Sequence, residues 1–337
     1  MPMIVRILLI ALAACAALLL SPSPARAQVF NDCTVSATSD DLGSASSFAV
    51  EEQAYQASGS GGFQCTALSV ATTSYIKVRL ESTTQWLTGP TGQHLPFTVS
   101  ATAGGAAMSV GSEVDLSSFS LYSLFTGPSN SVPIYVSTTP TAGLSAGTYT
   151  GTVSLRWYFS VCTVGVLTCI TTSQSPGFQR PILFTPLNWG TGVPVTITLN
   201  LTIEEDCRIT APDLDFGAAP LAGSFDPVTR TISIRCSAGA SYSVGLSDGD
   251  HFSAGSRRMR SAAGDFLRYE IFKGLSGSNR WGVAGTERRG SETADINPGI
   301  HDGSTLQGFS YRGVVDAAQP TPPGGSYTDT IVLDVAF

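Results

Sequence analysis

Histidine is scarce in this chain. The three histidines, His94, His251 and His301, fall in separate turns bordered by Gly or Asp. None has a second base or a carboxylate pair at a spacing that would set up acid–base or nucleophilic chemistry. His251 near Asp248 and Asp250, and His301 beside Asp302, could be imagined as metal or acid–base sites, but polar turn residues facing water explain them better. No catalytic residue, cofactor or metal ligand is expected, and the chain does not read as an enzyme. Charge is also thin, at 13% of residues, and unevenly spread. Between Gln28 and Ile203 there are four Lys or Arg and eight Asp or Glu, against twelve and fourteen from 207 to 337. Without a basic face the chain is a poor partner for nucleic acid. Past Leu20 no apolar run is long enough to span a bilayer, and no window there sustains a helical period.

What is present begins with an export leader. Arg6 precedes an apolar run from Ile7 to Leu20, and Ala25-Arg26-Ala27 supplies a small-x-small cleavage signal, so residues 1–27 are expected to be removed. Of the seven cysteines, Cys15 would leave with that leader. The even set that remains, in an oxidising compartment, implies disulfides. About 310 mature residues suit two domains with real cores.

Those domains are a duplication. Asp32-Cys33-Thr34-Val35-Ser36-Ala37, followed by Asp41-Leu42-Gly43, is echoed by Asp206-Cys207-Arg208-Ile209-Thr210-Ala211, followed by Asp215-Phe216-Gly217. A late strand also repeats, Gly147-Thr148-Tyr149-Thr150-Gly151-Thr152-Val153-Ser154-Leu155 against Gly325-Ser326-Tyr327-Thr328-Asp329-Thr330-Ile331-Val332-Leu333. The repeat places Cys33 and Cys65 where the second copy has Cys207 and Cys236, leaving Cys162 with Cys169 as a short hairpin staple. Short alternating runs separated by Gly, Pro, Ser and Asn predict two antiparallel, immunoglobulin-like β-sandwiches in tandem. The expected division is an N-terminal domain at 28–203, a short acidic linker at 204–206 and a C-terminal domain at 207–337.

The copies differ after the late strand. The first goes on to Val195-Thr196-Ile197-Thr198-Leu199-Asn200-Leu201-Thr202-Ile203, apolar at every odd position, which is the period of a half-buried strand. The second has no such segment after Tyr327, Ile331, Leu333, Val335 and Phe337, which should face one way. Its sandwich is therefore expected to be incomplete and to need a strand donated by another chain. Asn200-Leu201-Thr202 fits a glycosylation sequon but lies within the completing strand, so a coincidence is the simpler reading.

The sequence around the second pair of cysteines resembles the spore coat protein U domain. The resemblance rests on Cys207-x-Ile209-x-Ala211 then Phe216-Gly217, on Ile234-Arg235-Cys236, on Arg257 to Arg260 with Met259, on Leu267-Arg268-Tyr269, on Trp281-Gly282 and on the Gly-x-Tyr-x-Asp run at 325–329. Such domains occur in the pilins of archaic chaperone-usher pili, and the two-domain layout resembles the Csu-type tip adhesin of that class. The resemblance implies a periplasmic chaperone, an outer-membrane usher and a donor strand from the next pilin. Chaperone and donor would both contact Tyr327, Ile331, Leu333, Val335 and Phe337. Only Gln28 to Asp32 separate the leader from Cys33, too few residues to serve as a donor strand, so the subunit is expected at the pilus tip.

An attachment surface is sought among apolar residues at hairpin tips, where polar residues belong. Val164, Val166 and Leu167 lie inside the cysteine staple, Leu121, Leu124 and Phe125 lead into a Gly-Pro turn, and Trp86, Leu87, Leu95 and Phe97 flank another. Ile182 to Trp189 form a further apolar stretch. These loops are expected to gather at the distal pole of the first domain and bind a surface or host target, promoting attachment and biofilm. Two other functions compete: a lectin-like adhesin with Trp86, Trp157 or Trp189 against a sugar, and a ligand-free coat or shaft protein. The arginines at 257–260 and 288–289 read as a solvated face.

Overall fold

The computed structural model describes residues 32–70, 72–182 and 185–337; the expected leader, and Leu183 and Phe184 of the apolar stretch, lie outside them. The chain is all-β, with two sandwiches. In the first, β1 (Cys33–Val35), β2 (Thr38–Ser46), β3 (Gln56–Cys65), β4 (Leu68–Val70), β5 (Tyr75–Thr83) and β6 (Trp86–Thr88) precede β7 (His94–Ser100), β8 (Glu113–Asp115) and β9 (Ser131–Thr138). The long β10 (Gly147–Val166), β11 (Thr168–Gln174) and β12 (Val193–Glu204) complete it. The second contains β13 (Cys207–Thr210), β14 (Val228–Cys236), β15 (Ser243–Leu246), β16 (Arg257–Ser261), β17 (Phe266–Lys273) and β18 (Arg289–Gly290), followed by β19 (Gln307–Val315), β20 (Tyr327–Thr328) and β21 (Leu333–Ala336).

The strand order of the first unit is β1-β3-β9-β7-β6-β10-β12-β2, with β4, β5 and β11 also on β10. Its curled halves enclose one core, in which Phe63, Trp157 and Phe159 stack. Period-two alternation sends Ile76, Val78 and Leu80 of β5 and Leu95, Phe97 and Val99 of β7 into that core. The same rule buries Val195, Ile197, Leu199, Leu201 and Ile203 of β12, which runs antiparallel to β10 and parallel to β2. The sequon residue Asn200 is held within that ladder, its side-chain amide donating to Ser39 Oγ. In the second unit a six-stranded sheet, β13-β14-β19-β17-β16-β20, faces a three-stranded one, β18-β15-β21. Disulfides join Cys33 to Cys65, Cys162 to Cys169 and Cys207 to Cys236.

The units meet over a built contact. Phe48, on the short helix Ser47–Glu52, is buried with the guanidinium groups of Arg208 and Arg235 at 4.6 and 5.0 Å from its ring. Those arginines pair with Glu52 and Glu51 at 2.5 and 2.6 Å, and Ser47 and Ser237 share a buried hydroxyl bond of 2.7 Å. The Ala238 amide donates to Leu144 O, across a bridge between Ser145 and Ala238.

Three polar groups depart from the sequence reading. His301 is 2% exposed rather than a surface turn residue, its Nδ1 accepting from the Gly303 amide, and burial holds its pKa below the ordinary histidine value. Arg257 and Arg289 are buried, not solvated. Arg257 donates to the carbonyls of Leu246, Ser247 and Trp281 and pairs with Glu270, while Arg289 donates to Ser310 O and stacks over Trp281 and Phe309.

Asp40 on β2 points inward, with Oδ2 lacking a partner among the described residues. Burial raises its pKa, against the pull of the Ser60 backbone. A carboxyl favoured in its neutral form by folding adds stability as pH falls through the folded value, an addition complete below the unfolded value of 3.8. Asp40→Asn is therefore expected to stabilise the chain at pH 7, with the difference from the parent closing near pH 4. Denaturant midpoints at the two pH values check this; a variant equally destabilised at both would refute it.

Candidate functional site

Two features emerge, a groove in the second sandwich and an apolar hairpin on the first. The groove encloses about 540 Å³. Leu214 and Phe216 form one lip, Tyr327, Ile331 and Leu333 the other, and Ile232, Met259, Tyr269 and Ile271 line it between them. The internal repeat shows what a filled counterpart looks like. The turn at Asp215 matches the one at Asp41 in detail, since each aspartate accepts from the amide two residues on at 2.8 Å and each following glycine has positive φ. In the first sandwich that turn belongs to β2 and is laddered to β12, whereas residues 211–219 form no strand. Tyr149, Val153 and Leu155 are 0% exposed under β12, but Tyr327, Ile331 and Leu333 are only half-buried.

Polar anchors fix the groove's far lip. Tyr269 donates to Asp329 at 2.6 Å, and burial followed by this bond raises the tyrosine pKa well above its usual range. The Val332 amide donates to Ser247 Oγ, and β21 pairs with β15 from Leu333 to Ala336. Val335 packs against the second core, whereas Phe337 is 56% exposed and stands apart from the groove lining.

The hairpin is the far end of β10. That strand has 20 residues, so at roughly 3.3 Å each it runs on the order of 60 Å, from Gly147 beside the second sandwich to Val166. The disulfide at Cys162–Cys169 staples the hairpin, and β4 pairs in parallel with Val164 to Val166. Val164 is half-buried, while Val166, Leu167 and Ile170 are 70%, 79% and 76% exposed. Leu167, at the apex, has φ +62, a left-handed backbone that costs a leucine about 1 kcal/mol or more.

The other expected adhesive loops do not join it. Leu87 and Leu95 are fully buried, and Phe97 and Leu124 nearly so, because strand alternation and helix packing turn them into the first core. Leu121 and Phe125 pack against that core, Phe125 edge-on to Phe63. Trp86 is 40% exposed but stacks with His94. Its hairpin also sits at the wrong end: Thr88 pairs with Thr150, and Gln93 accepts from Ser145, next to the second sandwich. In the first sandwich the exposed apolar residues that the sequence reading passed over are Val110, Phe119 and Ile170, and Tyr122, inside the run Leu121–Phe125, is 93% exposed. Ile170 stands between the half-cystine Cys169 and Thr171, and no alternation of apolar and polar residues along 168–174 marks it as the outward one. Of the tryptophans considered for sugar stacking, Trp157 is core and donates to Gly61 O. Trp189 is half-buried against Tyr75 and Phe178, with Lys77 Nζ 4.7 Å from its ring. Among the described residues no group of three metal-binding side chains occurs.

Tandem sandwiches, one sealed by its own strand and one grooved, have the build of pilus subunits. The chain belongs to the Spore Coat Protein U domain family, which matches residues 19–156 and 193–334. It is similar, at 32% identity and a TM-score of 0.71, to a chain in the crystal structure of the CsuC-CsuE chaperone-tip adhesion subunit pre-assembly complex from archaic chaperone-usher Csu pili of Acinetobacter baumannii. The likeness covers 91% of this chain and 100% of that one. No curated protein matches the chain. The two family matches leave 157–192 between them, the segment that carries the stapled hairpin, and the second match includes β12.

Proposed function

We propose that this chain is the tip adhesin of an archaic chaperone-usher pilus, exported through the periplasm to the cell surface, and that it attaches cells to apolar surfaces through the hairpin Val164–Ile170. The observation that carries this reading is the apex itself: an aliphatic, disulfide-stapled tip at the far end of β10 from the second sandwich, in the stretch that neither family match covers. Likeness to a tip subunit supports the position in the fibre. Attachment of piliated cells to alkyl-coated glass, compared between the parent and hairpin variants with pilus number held equal, tests it.

We further infer that the groove of the second sandwich takes a strand from the periplasmic chaperone and then from the next pilin, on the way through the outer-membrane usher. The support is internal. β12 stands directly ahead of Cys207, falls within the second family match, and yet completes the first sandwich. The junction inside this chain is thus a template for the joint between subunits. By that template the incoming strand runs antiparallel to Tyr327–Ala336 and parallel to 211–219, its apolar side chains entering beside Tyr327, Ile331 and Leu333.

A further inference from the structure

The first sandwich has a second concavity, of about 550 Å³, that shares no lining residue with the groove. It lies over the outward face of β3, β9 and β7. Register sets six polar side chains there in two rows. Ser58, Tyr135 and Ser100 lie abreast on the three strands, and Gln56, Ser137 and Thr98 form the next row. With strands about 4.8 Å apart and rows two residues apart, the platform measures about 10 by 7 Å. The turn after β7 walls it with Ala103, Gly104, Gly105 and Ala107, and Gly104, at φ +63, takes a backbone that only glycine adopts without cost. Its size lies within the range of small-ligand sites.

We propose that this platform is a binding site for a neutral saccharide, separate from the attachment hairpin. Three properties of the lining select that chemistry. No Lys, Arg, His, Asp or Glu lines it, so a phosphate, carboxylate or ammonium ligand would lose water without gaining a counter-charge. A wholly apolar ligand fails for the opposite reason, since it would cover hydroxyl and amide groups and leave them unpaired, at about 1–3 kcal/mol each. A peptide strand finds no backbone partner on it, because the lining is a sheet face whose central strand β9 is already laddered on both sides, to β3 and to β7. A pyranose meets the remaining demands. Its C–H face lies on the ring of Tyr135, and its hydroxyls exchange hydrogen bonds with Ser58, Ser137 and Gln56, which donate and accept alike, while Ser100 and Thr98, whose own hydrogens go to Thr102 O and Ser137 O, accept.

Saturation-transfer NMR on the full chain in complex with its chaperone, with the methyl α-glycosides of glucose, galactose and mannose at millimolar concentration, tests the site. Glucuronic acid and N-acetylneuraminic acid serve as charged comparators. At least one neutral glycoside should bind. Its affinity should fall at least tenfold in Tyr135→Ala and in the double variant Ser58→Val, Ser137→Val, whose side chains are outside the core and whose melting temperatures should match the parent's. Leu167→Asn should bind as the parent does, which separates this site from the hairpin. Absence of binding by all three glycosides, equal binding to the platform variants, or equal binding of the acidic sugars would overturn the proposal.

Discussion

A full-length chain with a second copy of Val193–Glu204 appended after Phe337 through a short flexible linker is expected to melt about 10 °C or more above the parent in its second transition. The reason lies in the contrast between equivalent positions. Tyr149, Val153 and Leu155 are sealed by β12, and their repeats Tyr327, Ile331 and Leu333 border an open groove. A strand antiparallel to Tyr327–Ala336 can be reached from the chain's end by a tight turn, so the linker need not cross the sandwich. Each aliphatic side chain that enters the groove contributes about 1.5–3 kcal/mol, opposed by the cost of ordering the strand, which tethering reduces. A net gain of about 3 kcal/mol corresponds to the expected shift for a domain of this size. Ile331→Asp in the same tethered chain should cancel the gain, because it places an unpaired charge under the inserted strand. The same substitution should weaken chaperone capture at least a hundredfold, read by co-purification from periplasm. A tethered chain that melts with the parent, or a gain that survives Ile331→Asp, would remove the donor-strand account and leave the groove as a surface cleft.

Much of this was legible in the residues, and the limits have physical causes. Strict alternation from Val195 to Ile203 announced both the strand and its buried face, because period two leaves no other way to segregate those side chains. The duplicated Asp-Cys and Asp-x-Gly phrases located the repeat and its disulfides, since an Asx turn and a paired half-cystine each tie a residue type to a geometry. Exposure was less legible. Leu87, Leu95 and Phe97 flank Gly and Pro and so look like a loop tip, yet the turn spans only a few residues and the strands on either side bury them. A leucine beside a turn carries no mark of which way its strand faces until the partner strand is known. The reverse error occurred with charge. Arg257 and Arg289 lie inside because backbone carbonyls and aromatic rings from distant segments satisfy them, and such partners have no local signature; His301 is buried by packing, with the Gly303 amide two residues on as its donor. The hairpin was found for a sounder reason. Two cysteines seven positions apart, with aliphatic residues between them, define a rigid tip that has no core to enter.

The combined variant Val166→Ser, Leu167→Asn, Ile170→Ser should lose attachment by tenfold or more while pilus assembly and the melting of the first sandwich stay as they are. All three side chains are at least 70% exposed, so their removal leaves the core intact and stability within about 0.5 kcal/mol. Against an apolar surface each could supply about 1 kcal/mol on partial burial, a combined loss of about 100-fold per contact, which many tips per cell would amplify. The apex residue gives the sharper test. Leu167 occupies left-handed backbone, where asparagine is tolerated far better than a γ-branched apolar residue. Leu167→Asn alone is therefore expected to raise stability slightly and lower attachment, two changes in opposite directions. A residue retained for folding would move both together in the sense of damage, whereas one retained for what it presents should separate them. Trp86→Ala, at the other end of the sandwich beside Thr150, should leave attachment unchanged. Full adhesion by the triple variant, or loss of adhesion in Trp86→Ala alone, would move the attachment surface away from the hairpin.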